Sequence, residues 1–199
     1  MTNLQFPINF VFNIGTLAND FTATDANGQT VAYVRQKMFK LKEDIIIFDN
    51  KNKSKENFRI RADKWIDFST AYSIIDLNTD KELGKVARKG WRSIWKASYE
   101  LIDQDQKLKY RIKEENAWVK VLDGIVSEIP IVGAFTGYFL NPAYVVTNLR
   151  DEVIARLKKT PSFWGRNFKI EKIKTIDNDD DQRIILGLMM MILLERRRG

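Results

Sequence analysis

The stretch Arg183–Gly199, RIILGLMMMILLERRRG, holds eleven consecutive residues, Ile184 to Leu194, with no charge and no polar side chain. As an α-helix, eleven residues span about 16 Å, against a bilayer core of about 30 Å. Length therefore argues against a membrane-spanning helix. Ile184, Ile185, Leu186, Leu188, Met189, Met190, Met191, Ile192, Leu193 and Leu194 cover every helical face, which leaves no polar side to lie along a surface. A helix apolar all round has to be buried all round. One sheet cannot enclose it, but a closed antiparallel barrel can, given a bore that fits a helix about 10 Å across. Unbranched methionines at 189–191 suit an irregular lumen. Acids at 177–181 before the helix and Arg196, Arg197 and Arg198 at its end complement the helix dipole.

A barrel needs strands, and a repeat supplies them. Phe21-Thr-Ala-Thr-Asp25, Tyr72-Ser-Ile-Ile-Asp76, Tyr99-Glu-Leu-Ile-Asp103 and Tyr144-Val-Val-Thr-Asn148 each place an aromatic four residues before Asp or Asn. A short polar stretch, spaced apolar residues and a Lys follow each time. The pattern predicts β-hairpins, with the Asp or Asn side chain bonding its own backbone to start the turn. Asn27-Gly28 supplies the positive φ of one tight turn. Asp49-Asn50-Lys51-Asn52 predicts a further turn between the strand IIIF and the strand around Phe58-Arg-Ile60, and Ile8, Phe10, Phe12 and Ile14 alternate as a strand. Strands at turn spacings of roughly ten residues are the signal of a sandwich or barrel. The main interruption is NAWVKVLDGIVSEIPIVG, whose apolar spacing predicts a short helix near 117–128 ending before Pro130. Gly133-x-x-x-Gly137 follows in a run too short for a helix-dimer motif.

The 199 residues, 44% hydrophobic and 30% charged, have a normal globular balance. The chain has no Cys and no His, which excludes disulfides, thiol catalysis, Ser-His-Asp triads and His-based metal sites. No GxGxxG or P-loop sequence occurs. We therefore expect no enzyme and no cofactor. The N-terminal MTNLQFPINFVFNIG lacks the leading positive charge of a secretory signal. A net charge of +7 favours anionic lipid headgroups, nucleic acid or acidic proteins as partners.

Two segments, FTATDANGQTVAYVRQKMFKLKEDIIIFDN (21–50) and NPAYVVTNLRDEVIARLKKTPSFWGRNFKIEKI (141–173), with the apolar helix before a basic end, resemble the LURP-one-related family. That family shares a fold with phospholipid scramblases and the Tubby C-terminal domain. The resemblance covers nearly the whole chain. It implies one domain over 1–199, a closed antiparallel barrel of about twelve strands around a buried C-terminal helix. The superfamily's functions differ between branches: phosphoinositide binding through basic residues in the Tubby branch, and calcium-dependent lipid movement and sometimes DNA binding in scramblases. Plant LURP-one proteins are linked to defence.

Two basic groups are candidates for binding an anionic ligand. Lys85, Arg88, Lys89, Arg92 and Lys96 interleave with Trp91 and Trp95. This is either a headgroup site or an ordinary barrel wall with the tryptophans inside. Arg156, Lys158, Lys159, Arg166 and Lys169 form the second group, either phosphate contacts or a solvated edge. Asp177, Asp179, Asp180 and Asp181 offer oxygen ligands for Ca²⁺, but without the spacing, Gly or terminal Glu of an EF-hand loop. They also do not reproduce the longer scramblase segment, and the scramblase cysteines are missing. The competing reading is a solvated turn that leads into the helix. We expect a non-enzymatic, cytoplasmic, peripheral binding module for anionic phospholipid, phosphoinositide or an acidic protein. A scramblase-like membrane-active protein is the alternative, and a nucleic-acid-binding regulator the weaker one, since no groove-reading motif is present.

Overall fold

Alternation of apolar and polar residues over short segments bounded by Asp, Asn and Gly makes strands, and twelve of them form here. The computed structural model describes residues 4–13, 19–36, 44–63, 71–89, 98–115, 143–160 and 167–196, with the side chains of 195 and 196 excepted. The strands are β1 (Ile8–Phe12), β2 (Asp20–Thr24), β3 (Thr30–Gln36), β4 (Asp44–Phe48), β5 (Glu56–Ala62) and β6 (Ala71–Asp76). The second half has β7 (Lys81–Lys89), β8 (Ser98–Asp103), β9 (Leu108–Glu114), β10 (Ala143–Thr147), β11 (Val153–Thr160) and β12 (Asn167–Lys172). Each pairs antiparallel with its sequence neighbours, and β1 pairs with β12, so the barrel closes. Helix α1 (Asn178–Arg196) follows β12. Closure leaves no unpaired edge among the described strands. The short helix expected near 117–128 and the Gly133/Gly137 pair lie outside the described residues.

The turn chemistry read from the repeat is what closes five hairpins at one end of the barrel. Asp25 Oδ1 accepts the N–H of Asn27 at 2.9 Å, Asp76 Oδ1 that of Asn78 at 2.8 Å, and Asp103 Oδ1 that of Asp105 at 2.9 Å. Asn148 Oδ1 accepts from Arg150 N–H at 2.9 Å, and Asp49 Oδ1 from Asn50 and Lys55 at 2.8 and 3.1 Å. Each turn also needs one left-handed residue: Gly28 (φ 77°), Lys53 (57°), Asp80 (52°), Gln106 (61°) and Asp151 (58°). We expect Gly28→Ala to cost about 1 kcal/mol, since a Cβ is disfavoured at that φ. Gln106→Gly should leave stability unchanged or slightly raised. Urea midpoints check both.

Inward positions build one core. Ile8, Phe10, Phe21, Val34, Ile47, Ile60, Ile74, Tyr99, Ile112, Leu157 and Ile170 join the α1 side chains in a single hydrophobic cluster. Every side chain described from Ile184 to Leu194 is at most 4% exposed. The helix lies nearest β7 and β8, where Gly187 leaves room for Leu101; a Cβ there would stand 2.6 Å from Leu101 Cδ2. Its N-terminus is capped by Asp177, whose Oδ1 accepts the Asp180 N–H at 2.7 Å.

One irregularity positions the helix. In the pairing of β6 with β7, Ile74 faces Gly84 but Ile75 faces Glu82, so Leu83 is an extra residue. Gly84 has φ 133°, and a Cβ on it would lie 2.1 Å from the Ile102 carbonyl oxygen. The bulge leaves the Leu83 carbonyl to accept the Arg183 Nε–H of α1 at 3.1 Å. Gly84→Ala should therefore cost about 2–3 kcal/mol from overpacking and backbone strain, read as a fall in the urea midpoint.

Candidate functional site

Strand alternation decides where each candidate cation stands. In the β7 group, Val86 faces the core, so Lys85 and Lys89 point outward and Arg88 points inward, opposite Tyr99. Lys85 Nζ lies 3.4 Å from Asp63 Oδ2 and 3.8 Å from Glu82 Oε1, and Lys89 Nζ lies 3.4 Å from Glu100 Oε2. Arg88 Nε is buried with no hydrogen-bond partner among the described residues. Arg92 and Lys96, with Trp91 and Trp95, lie outside the described residues, as do Arg166 and Phe163-Trp164.

In the second group, Arg156 and Lys158 on β11 and Lys169 on β12 all face outward, while Lys159 shares the inward parity of Leu157. Lys158 and Lys169 are directly opposite each other, an arrangement of like charges that repels. Glu171 relieves it, with Oε2 at 2.9 Å from Lys158 Nζ and Oε1 at 3.3 Å from Lys169 Nζ. The Lys158 hydrogen bond is the main reason the Glu171 carboxyl is held below its ordinary range. Arg156 Nη2 meets Glu115 Oε1 at 3.0 Å.

The sequence reading missed a third contribution. On β9, Leu108, Tyr110 and Ile112 alternate with Lys109, Arg111 and Lys113, and Tyr110 and Ile112 belong to the core. The three cations therefore line the outside of the strand. The signal was present as a strict alternation of cations with Leu108, Tyr110 and Ile112 in KLKYRIK. Lys113 Nζ is 3.4 Å from Asp151 Oδ1, and Lys109 Nζ is 3.9 Å from Asp180 Oδ2. Because β9 to β12 are consecutive neighbours, Lys109, Arg111, Lys113, Arg156, Lys158 and Lys169 share one outer wall with Glu115 and Glu171, while Asp151 and Asp180 meet it at the hairpin end and Glu100 of β8 stands opposite Arg111. Between them, β10 presents the small neutral Ala143 and Val145. The wall has a positive excess. The two groups read from the sequence are not adjacent, since β8 to β10 lie between β7 and β11, but β8 alone separates the β9 cations from β7.

The outer face of β2–β4 is different. Asp20, Thr22, Tyr33, Asp44, Ile46 and Phe48 are buried there although they point away from the bore. Tyr33, Ile46 and Phe48 form a second cluster, the Tyr33 hydroxyl donates to the Asp20 carboxylate, and Arg59 grips Asp44 through Nε at 2.8 Å and Nη2 at 2.6 Å. Burial, then the Asp20 hydrogen bond, pushes the Tyr33 hydroxyl up to about 12. A raised folded-state pKa contributes stability that is complete below the unfolded value of about 10 and disappears as pH rises through about 12. Unfolding midpoints should therefore fall over that window, and more steeply in the parent protein than in Tyr33→Phe.

The acidic run is distributed around the start of α1. Asp177 caps the helix, Asp179 is exposed, Asp180 accepts the Tyr110 hydroxyl at 2.6 Å and pairs with Arg183, and Asp181 pairs with Lys172. Burial raises the Asp181 carboxyl, with Lys172 opposing. Among the described residues no group of three or more potential ligands gathers to hold a metal ion. Nor is any described helix long and apolar enough to cross a membrane.

A family model described as LURP-one-related matches residues 30–193. An X-ray structure of a protein from Arabidopsis thaliana superposes with a TM-score of 0.51, covering 98% of this chain and 92% of its own, at 13% identity, a likeness of fold. No curated protein matches the chain.

Proposed function

The chain belongs to the LURP-one-related family, and from that premise we propose that it is a non-catalytic, single-domain binding module that docks on anionic membrane headgroups through the outer wall of β9–β12. The observation that carries this reading is the gathering of Lys109, Arg111, Lys113, Arg156, Lys158 and Lys169 on one face of four adjacent strands. The acids nearby neutralise only part of that charge, and each cation near an anionic surface contributes about 1 kcal/mol. The burial of α1 supports docking over insertion of the helix, so the scramblase-like alternative has less behind it. On this reading the protein works as a peripheral protein on the cytoplasmic face of a membrane.

Co-sedimentation with phosphatidylcholine vesicles, with and without phosphatidylserine, tests the proposal. Binding should require the anionic lipid and fade with salt. The triple variant Arg111→Gln, Lys158→Gln, Lys169→Gln should weaken it about a hundredfold, as expected for about 1 kcal/mol per cation. Absence of binding to anionic vesicles at low salt would sink the reading. Preference for an acidic protein or a nucleic acid over the vesicles would replace the partner.

A further inference from the structure

Among the described residues, three large hydrophobic side chains are strongly exposed: Leu149 (54%), Ile173 (47%) and Val11 (42%). Single exposed apolar residues are normal on any protein surface. Here their placement is not scattered. Leu149 is in the turn between β10 and β11, and Ile173 follows β12 directly, its N–H bonded to the Ile154 carbonyl at 2.8 Å. Val11 points outward from β1, opposite Asn167, the first residue of β12. All three therefore border the basic wall. Two stand at its hairpin end and the third near the opposite end, about 20 Å away over the six residues from 167 to 173.

That spacing separates two ways of meeting a membrane. An end-on approach would bury Leu149 and Ile173 but leave Val11 far from the lipid. The hairpin end is also of mixed sign, with the exposed Asp80, Asp105, Asp151 and Asp179 standing among the exposed Lys53, Lys55, Lys107 and Arg150, so it offers anionic headgroups no uniformly basic face. A side-on approach lays the cations of β9, β11 and β12 on the headgroups and lets all three apolar side chains touch the same plane. The outer face of β2–β4 carries its outward Tyr33, Ile46 and Phe48 already buried.

We propose that the barrel docks on its side, with Leu149, Ile173 and Val11 entering the interfacial layer of an anionic bilayer around the basic wall. This inference rests on the docking function proposed above and adds to it the orientation and an apolar component. The mechanism is that of interfacial binding generally, in which electrostatic attraction brings the surface in and buried apolar area holds it.

The absence of cysteine makes the test direct. Leu149→Cys, Ile173→Cys, Val11→Cys and, as a control on the exposed outer face of β3, Arg35→Cys are each labelled with an environment-sensitive fluorophore. They are mixed with phosphatidylcholine–phosphatidylserine vesicles, and vesicle binding is followed in parallel by co-sedimentation. The first three labels should brighten and shift to the blue, and the control should not. The double variant Leu149→Asp, Ile173→Asp should partition about tenfold more weakly. A response at 149 and 173 without one at 11 would overturn the side-on orientation. Bound protein with no response at any of the three sites would overturn insertion while leaving headgroup docking intact. Failure to sediment with the vesicles at all would remove the docking function, and this inference with it.

Discussion

A chain that stops after Asp181 should not fold. The side chains from Ile184 to Leu194 are all but fully buried and share one cluster with the inward face of the sheet. Removing them takes away ten large apolar side chains at about 1.5–3 kcal/mol each, in total about 15–30 kcal/mol. A domain of this size is stable by only about 5–15 kcal/mol. The loss also leaves Phe10, Phe21, Tyr99 and Leu101 facing an empty bore, and a cavity of that kind adds its own cost. The truncated chain should lose far-UV and near-UV dichroism, amide dispersion and any cooperative urea transition. If it stayed soluble with a cooperative transition, α1 would be an appendage and the barrel would have another core.

This expectation was legible in the sequence because a helix without a polar face has few places to go. The hairpins were legible for a different reason. An Asp or Asn that bonds the backbone two residues on is a local device, so Asp25, Asp76, Asp103 and Asn148 announce their turns without help from the rest of the chain. The basic wall was harder to see because it is not local. Lys85, Arg88 and Lys89 are neighbours in sequence, yet alternation turns Arg88 to the inside and the other two to the outside. Arg111 and Lys158 are far apart in sequence, yet β10 alone separates their strands. Runs of basic residues group charges along the chain, whereas a sheet groups them across it. The bulge at Leu83 was illegible for a similar reason, since Gly84 in the sequence says nothing of the carbonyl of Ile102 against which it packs.

Breaking the ion pair at the start of α1 should have the next largest effect, and an asymmetric one. Asp180 and Arg183 are buried and paired, and Arg183 also donates through Nε to the Leu83 carbonyl made available by the bulge. Asp180 has further partners, the Tyr110 hydroxyl, which donates to it at 2.6 Å, and the Lys109 ammonium, an ion pair at 3.9 Å. Burial, with Asp180 adding to it, raises the pKa of that hydroxyl. Asp180→Ala leaves a buried guanidinium with the carbonyl of Leu83 and should cost about 3–5 kcal/mol, as removal of one partner of a buried pair does. Arg183→Met leaves a carboxylate that keeps Tyr110 and Lys109, so its cost should be about 2 kcal/mol, since a charge that retains donors is not fully orphaned. The double variant removes both charges and should be no worse than Asp180→Ala, giving a coupling energy of about 2 kcal/mol in a double-mutant cycle. Urea midpoints of the four proteins supply the cycle. If both single variants fell within about 0.5 kcal/mol of the parent, the pair would be incidental and apolar packing alone would seat the helix. If the double variant lost the sum of the two single losses, the two side chains would act independently. The expected pattern, one severe single loss that the second substitution does not deepen, would show that the first turns of the helix depend on an ion pair within α1, whose arginine also bonds the carbonyl at the β7 bulge.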